Sequence, residues 1–249
     1  ISCFMSEYGF QSFPEYSSFK KFGETQDENM YSDVMKHHQR SSIGNATIEE
    51  YMQREFTTPT DFKSLLYTSQ ILQADGIRLG IEAHRRNDKC MGSIYWQLND
   101  CWPVASWSSL DYYGNWKALH YYAKEFFSPI LISVIEKNEN TCIFVINDGD
   151  NFDHAELELE LIRFDGELIS RKKLKIVIPA NSSSEIYKIT TSVLLKDAEP
   201  NNVLLRSTVN VAGKKISGND HIFIKTKDLK LPEQDFSYEY KKEKGKHII

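Results

Sequence analysis

The chain has 249 residues, of which 41% are hydrophobic and 26% are charged, and its formal net charge is −5. These values are typical of a folded globular protein with one large domain or two ordinary ones. The charges are interspersed and form no basic stripe, which argues against nucleic acid as a partner. No run of about 18 apolar residues predicts a membrane span.

The four cysteines are too few for a disulfide scaffold. Cys90 and Cys101 flank a predicted strand. At roughly 3.3 Å per extended residue, that strand holds them beyond the roughly 7 Å between Cα atoms that a disulfide spans. We interpret the cysteines as mostly free.

The first half of the chain predicts strands and helices in alternation. Residues 1–6 predict a short buried strand that ends at Glu7, and residues 8–46 form a long irregular segment of the kind that often carries function. A capping box at residues 47–50 predicts a short helix to about Phe56. Residues 59–61 then start a long amphipathic helix that reaches about Arg86.

A second buried strand is predicted over residues 91–100, and a third helix from Trp116 to Phe127. The order of strand, loop, helices, strand and helix is that of parallel βα units. In such folds the functional groups lie where the strands end.

From about Pro129 the pattern changes to short strands without helices. Residues 157–162 alternate with period two, and Asp165-Gly166 is a hairpin signal. Further strands are predicted at 141–146, 174–178, 185–189, 203–209 and 221–224. This spacing predicts an antiparallel sandwich of immunoglobulin-like kind.

We therefore expect three regions: a βα region over 1–128, a sandwich over 129–228, and over 229–249 a linker that leads into a further β domain. Two parallel strands do not close a sheet, so we expect the chain to be a piece of a longer protein. Its expected partner is the missing N-terminal part of that same protein.

Polar and aromatic groups gather at the ends of the two predicted strands. Glu7 ends the first, while Trp96, Asn99 and Asp100 end the second. Aromatic faces stack on pyranose rings while amides and carboxylates bind sugar hydroxyls, and a carboxylate can attack an anomeric carbon. From the residues alone, a salt bridge or cap for Glu7 and a core position for Trp96 remain the commoner alternatives.

Several segments resemble the β-mannosidases of glycoside hydrolase family 2. Residues 6–14 (SEYGFQSFP) are similar to the nucleophile segment, and residues 38–45 (HQRSSIGN) to the loop after it. Residues 80–86 (GIEAHRR) resemble the end of the penultimate barrel helix. The most specific likeness is in 95–103 (YWQLNDCWP) and 106–121 (SWSSLDYYGNWKALHY), which resemble the last strand and the last βα loop.

The resemblance is strong over residues 1–128 and loose over 129–249. It implies the last two βα units of a (β/α)8 TIM barrel followed by an immunoglobulin-like β-sandwich. It also implies a retaining exo-hydrolase that releases terminal non-reducing β-D-mannose from a β-mannoside oligosaccharide or glycan. No cofactor or metal is required.

The same resemblance assigns roles to residues. Glu7 matches the catalytic nucleophile and Trp96 an aromatic wall of the mannose subsite, while Asn99 and Asp100 lie beside that wall as substrate-binding candidates. The family's acid/base Glu lies on an earlier strand that this chain lacks, so we expect the chain alone to be inactive. The implied location is periplasmic or exported for a bacterial protein, and lysosomal for a eukaryotic one.

Two alternatives remain open from the sequence. One is a related exo-hydrolase of the same family, a β-glucosaminidase or β-galactosidase. The other is a non-catalytic carbohydrate-binding protein in which Glu7 only accepts hydrogen bonds from sugar hydroxyls. The pair His37-His38 raises the question of a metal, but a hydrogen bond within the loop explains it better.

Overall fold

The structure, a computed structural model, describes residues 3–233 and the backbone of residues 241–243 and 246–248. The first half is helical and the second is a β-sandwich. The helices of the first half are α1 (Tyr16–Phe19), α2 (Asp33–His37), α3 (Gly44–Glu55), α4 (Phe62–Arg85) and α5 (Ala118–Phe126), with a 3-10 turn at Thr25–Asp27.

The long helix α4 confirms the prediction from the helical spacing of its apolar residues. Asp61 caps its N-terminus, where the Asp61 carboxylate accepts the backbone N–H of Ser64 at 2.9 Å. Leu66, Ile77 and Ile81 lie on the buried face. The helix has 24 residues and is therefore roughly 36 Å long.

The predicted start of α3 is wrong. The helix begins at Gly44, and Thr47 lies inside its first turn, where the Thr47 hydroxyl donates to the carbonyl of Ile43 at 3.0 Å. The reason is tertiary. Asn45 is buried, accepts from the Gln39 amide at 2.6 Å and donates to the Met30 carbonyl at 2.5 Å, so the helix starts three residues before the capping-box pattern.

The two predicted buried strands are also corrected. Residues 3–10 and 91–98 run side by side in parallel, with backbone hydrogen bonds such as Met5 N to Gly92 O at 2.9 Å and Ile94 N to Met5 O at 2.9 Å. The pairing is limited to an isolated bridge between Met5 and Ser93, and Phe4 is 49% exposed. A regular buried strand needs partners and cover on both sides, and the exposure of Phe4, Ile94 and Trp96 shows that this cover is missing here.

The second half forms two antiparallel sheets. The first, in the order β1-β2-β5, contains β1 (Ile130–Lys137), β2 (Asn140–Asn147) and β5 (Ser182–Thr190). The second, in the order β4-β3-β6-β7, contains β3 (Phe152–Arg163), β4 (Leu168–Ile178), β6 (Val203–Val211) and β7 (Lys214–Ile222). A short helix α6 (Thr191–Leu195) follows β5, and 3-10 turns occur at Pro200–Asn202 and Thr226–Asp228.

The core of the sandwich follows from the period of two. In β3 the residues Leu157, Leu159 and Leu161 are buried, while the glutamates between them lie on the other face. The predicted hairpin at Asp165-Gly166 is confirmed, and Gly166 adopts φ +95° in its turn.

The last predicted strand of the sandwich, at 221–224, is misplaced. Strand β7 covers Lys214–Ile222 and lies at the edge of its sheet. Its backbone pairs with β6, but most of its side chains are polar, so the hydrophobic pattern does not reveal it. Of the predicted linker and following strand, residues 234–240, 244, 245 and 249 lie outside the described residues. Two short segments, β8 (Lys241–Glu243) and β9 (Lys246–Ile248), pair antiparallel.

The C-terminal turn of α4 is bonded to the sandwich. The buried carboxylate of Glu82 accepts the hydroxyl of Ser133 in β1 at 2.6 Å, and Arg86 lies 3.6 Å from the same carboxylate. The hydroxyl of Ser183 in β5 donates to the carbonyl of Arg86 at 3.2 Å. Arg85 donates to Asp148 at 2.7 Å.

All four cysteines are free, and Cys142 is buried in β2. None of the helices in the described part of the chain is long and apolar enough to cross a membrane.

Candidate active site

Glu7 lies on the face of the parallel pair that is turned away from the helices. Its neighbour Tyr8 faces α4, with its ring 5.3 Å from that of His84 and its hydroxyl 3.0 Å from Ser93 Oγ. The register gains one residue between Met5 and Tyr8, since Ile94 N donates to Met5 O and Trp96 N donates to Tyr8 O. The exposure of Glu7, and not strict alternation, therefore places its side chain away from α4. Its side chain is exposed.

Trp96 lies on the same face. Ser93 contacts His84 at 2.8 Å, and Tyr95 packs against the α4–α5 core, so these two side chains face the helices. Ile94 and Trp96 alternate with them and are 54% and 48% exposed. The Trp96 backbone N–H donates to the carbonyl of Tyr8 at 2.7 Å, which places the indole beside the Glu7 segment.

Gly9 allows the two segments to approach. A Cβ atom at this position would lie 2.4 Å from the carbonyl oxygen of Trp96 and 2.9 Å from the ring of Trp107. Any side chain at Gly9 would therefore displace Trp96. The peptide bond between Trp96 and Gln97 is cis.

Asn99 and Asp100 have different environments. Asn99 is exposed, and its amide donates to the carbonyl of Asp100 at 3.2 Å. Asp100 is buried, and its carboxylate accepts both the Ser106 and the Ser108 hydroxyls at 2.6 Å. The carboxylate of Asp100 is thus occupied within the last loop, and only the Asn99 side chain reaches the surface.

A buried lysine, which no sequence pattern indicates, lies beneath this loop. Lys117 precedes α5 and is fully buried. Its ammonium lies 3.4 Å from the carbonyl of Ser12 and 3.3 Å from that of Ser106. Burial lowers the pKa of Lys117 to about 8, although the carboxylates of Asp100, Asp111 and Glu15 act in the opposite direction.

Helix α4 contributes three buried polar side chains to the same region. Gln73 accepts the Ser12 hydroxyl at 2.7 Å and donates to the carbonyl of Phe10 at 2.8 Å. Ser69 accepts the N–H of Phe13 at 3.1 Å, and Gln70 accepts the N–H of Ala118 at 3.2 Å. The signal for them was in the sequence, because polar residues at 69, 70 and 73 interrupt the apolar face that Leu66 and Ile77 define.

The loop after the Glu7 segment meets the last loop through aromatic stacking. The ring of His38 stacks on Trp102 with centroids 5.1 Å apart, and its Nδ1 lies 2.6 Å from the carbonyl oxygen of Pro103. His38 thus makes a hydrogen bond, but to the last loop and not within its own loop. Among the described residues, no group of three or more His, Cys, Asp or Glu side chains is placed to hold a metal.

The arrangement presents one exposed carboxylate and one exposed indole on a common face, supported from behind by a buried polar network. Such a face can stack on a sugar ring and direct a carboxylate oxygen at it. The roles predicted for Glu7, Trp96, Asn99 and Asp100 stay predictions.

Comparison with known proteins identifies the family. A family model described as the Mannosidase Ig/CBM-like domain matches residues 139–228. The β-mannosidase of Mus musculus is 32% identical over 208 residues, which are 77% of this chain and 24% of the mouse protein. The crystal structure of a β-D-mannosidase from Dictyoglomus thermophilum superimposes with a TM-score of 0.85 at 30% identity, covering 92% of this chain and 28% of that one.

A third comparison concerns the fold alone. The exo-chitosanase CsxA of Amycolatopsis orientalis superimposes with a TM-score of 0.73 at 19% identity, over 88% of this chain and 27% of that one. This shared fold spans both the helical half and the sandwich.

The helical half joined to the immunoglobulin-like sandwich is the architecture of the C-terminal region of glycoside hydrolase family 2. Within that group, the chain belongs to the β-mannosidase family. It spans about a quarter of the length of the relatives it matches.

Proposed function

We propose that this chain supplies the nucleophile and one wall of the sugar subsite to a retaining exo-β-mannosidase. The helical half then represents the last two βα units of a (β/α)8 barrel. The substrate is a β-mannoside oligosaccharide or glycan with a terminal non-reducing mannose. The observation that carries the proposal is the exposed Glu7 carboxylate on the same face as Trp96, joined by the hydrogen bond between Trp96 N and Tyr8 O.

The reaction proceeds by double displacement. The Glu7 carboxylate attacks the anomeric carbon, and the bond to the aglycone oxygen breaks as an acid outside this chain protonates that oxygen. Water then hydrolyses the glycosyl-enzyme ester with the same residue acting as base, which releases mannose with retained configuration and restores the Glu7 carboxylate.

The other residues act on the position of the sugar. The indole of Trp96 stacks on the apolar face of the pyranose, and the exposed amide of Asn99 binds a hydroxyl group. Asp100 acts through the loop, since its carboxylate is held by Ser106 and Ser108. General acid help is worth roughly 10²–10⁴ in rate, so the chain without its N-terminal partner turns over no measurable substrate.

The test uses the full-length parent protein and 2-deoxy-2-fluoro-β-mannosyl fluoride, a reagent that traps the glycosyl-enzyme by slowing its hydrolysis. The labelled peptide is identified by mass spectrometry. We expect one label on Glu7, none with the matching gluco or galacto reagents, and none in the Glu7→Gln variant. The matched control is Glu125→Gln, an exposed glutamate on α5, which should label like the parent.

Three results would contradict the proposal. A label elsewhere in an active preparation means that another residue is the nucleophile. Labelling by the gluco or galacto reagent in place of manno indicates a sister exo-hydrolase. If the parent protein cleaves no mannoside, and its Glu7→Gln variant binds mannosides as well as the parent does, the protein is a carbohydrate-binding protein.

A further inference from the structure

A fully buried lysine joins the two segments that carry the proposed site. The ammonium of Lys117 contacts the carbonyl of Ser12, which belongs to the Glu7 segment, and the carbonyl of Ser106, which belongs to the last loop. Ser12 and Ser106 also pair with each other, with N–H to O distances of 2.9 and 3.1 Å. Lys117 therefore lies where the two segments meet.

The surroundings of Lys117 balance its charge with carboxylates from several elements. Asp100 and Asp111 come from the last loop, and Glu15 comes from the turn before α1. Asp100 is held by two serine hydroxyls, and Asp111 accepts the backbone N–H groups of Tyr113 and Asn115 at 2.9 Å. These carboxylates fix the shape of residues 97–116, and Lys117 is the cation they share.

A buried ammonium is costly unless it is paired and hydrogen-bonded. Here burial outweighs the three carboxylates, as the lowered pKa of Lys117 indicates. An apolar side chain would avoid that cost, so the charge at this position is a candidate for a functional requirement.

We propose that Lys117 is a positioning residue, which fixes the segment carrying Glu7 against the loop carrying Trp96. The inference rests on the proposed function, because the arrangement of Glu7 and Trp96 matters only if these residues attack and hold the sugar. Lys117 does not touch the sugar. It acts through Ser12, Ser106 and Asp100, and so sets the separation between the attacking carboxylate and the indole that holds the ring.

The experiment compares three variants of the full-length parent protein. Lys117→Met removes the charge and keeps the length of the side chain. Lys117→Met/Asp100→Asn removes one carboxylate charge as well. One of the two serine hydroxyls can still donate to the amide oxygen, and the other can turn to accept from the new NH2 group. Lys124→Met is the matched control, because Lys124 is an exposed lysine on α5.

Two quantities are measured on each protein. The first is amide hydrogen exchange of residues 97–111, with residues 130–163 of the sandwich as an internal reference. The second is the rate of labelling by 2-deoxy-2-fluoro-β-mannosyl fluoride, resolved into reagent binding and bond formation. We expect Lys117→Met to exchange at least tenfold faster in 97–111 and at the Ser12 amide, which donates to Ser106 O, with the reference unchanged. We also expect it to form the bond at least tenfold more slowly, since small misplacements cost that much.

The double variant separates charge pairing from a general packing defect. We expect it to recover most of the protection of 97–111 and part of the labelling rate, while Lys124→Met matches the parent throughout. Lys117→Met within twofold of the parent in both measurements would overturn the inference. The inference would also be overturned if Lys117→Met loses the folded state and the exchange protection of 97–111, and the double variant recovers neither.

Failure of the inference is distinguishable from failure of the proposed function. A parent protein that does not label at Glu7 refutes the proposed nucleophile. Hydrogen exchange needs no turnover, so it still decides whether Lys117 holds the two segments together.

Discussion

Gly9 is the residue at which backbone conformation and site geometry are most tightly linked. A Cβ atom there would lie 2.4 Å from the Trp96 carbonyl oxygen, and a backbone oxygen cannot move without moving its own side chain. The position therefore tests whether the placement of Trp96 beside Glu7 matters for catalysis.

We expect Gly9→Ala to lower kcat/KM of the full-length parent for an aryl β-mannoside by tenfold or more, with a fall in melting temperature. The matched control is Gly76→Ala in α4, where a Cβ atom meets nothing within 4 Å. The control should leave activity unchanged and raise stability by about 0.5–1 kcal/mol, because alanine favours the helix. Equal kinetics for the two variants would show that Trp96 tolerates displacement.

Lys117 also gives the stability of the protein a specific pH dependence. Its pKa is lowered from the ordinary value of 10.5 to about 8 in the folded chain. Between these values the unfolded chain holds more protons on this residue than the folded chain, so its contribution to stability rises with pH. Below pH 8 both states are protonated and the full cost of burial applies.

The measurement is the free energy of unfolding of the parent and of Lys117→Met by denaturant titration from pH 7 to pH 9.5. We expect the stability of the parent to rise relative to the variant above pH 8. Groups common to both proteins cancel in the difference. A difference that is flat or falls with pH would mean that Lys117 keeps an ordinary or a raised pKa.

At the scale of the elements, α4 organises the site from behind. Gln73 is fully buried and bonds to Phe10 and Ser12 on one side, and to the carbonyl of Ser108 at 3.3 Å on the other. One amide thus serves both segments of the site, and its loss leaves three polar groups without that partner.

We expect Gln73→Leu to destabilise the protein by about 1–3 kcal/mol for each buried group left unsatisfied, and to lower activity. The control is Gln53→Leu, an exposed position on α3, whose effect should stay within about 0.5 kcal/mol. Chemical denaturation of both variants measures the difference. A Gln73→Leu protein as stable as the control would show that the network is replaceable.

Local patterns predicted those elements that local forces determine. The apolar period and the Asp61 cap specify α4, and the alternation of leucine and glutamate specifies β3. Prediction failed where tertiary partners decide. The hydrogen bonds of buried Asn45 make α3 begin three residues earlier than predicted. Strand β7 is held by backbone pairing at the edge of its sheet and not by an apolar face.

The same division applies to the candidate site. Their position at the ends of the predicted strands indicates Glu7 and Trp96 as site candidates, and the structure brings their segments together. The burial of Asp100 and Lys117 depends on serines and carbonyls from several distant segments. A single lysine before a helix is usually exposed, so the sequence does not indicate that Lys117 is buried.

At the scale of the whole molecule, α4 also joins the site to the sandwich. Its middle turns hold the Glu7 segment, and its last turn carries Glu82, Arg85 and Arg86, which bond to the sandwich. Because one helix makes both sets of contacts, we expect a displacement of the sandwich to reach the backbone behind the site.

Glu82 is the residue on which this junction depends. Its buried carboxylate accepts the Ser133 hydroxyl and faces Arg86 at 3.6 Å, and Arg78 lies 4.0 Å from its other oxygen. Burial lowers the pKa of Arg86, while the Glu82 carboxylate favours its charged form. Removing the carboxylate leaves the Arg86 guanidinium partly buried without its counter-charge.

We expect Glu82→Leu to destabilise the protein by about 3–5 kcal/mol, the usual cost of breaking a buried ion pair from one side, and to uncouple the sandwich from the helical half. Differential scanning calorimetry should resolve two transitions in place of one. The control is Asp148→Asn, which removes the exposed partner of Arg85 and should cost at most about 1 kcal/mol. If both variants melt in one transition at similar temperatures, the buried carboxylate does not hold the junction. Other contacts between the halves then hold it, such as the bond from Lys225 to the Glu55 carboxylate at 2.9 Å.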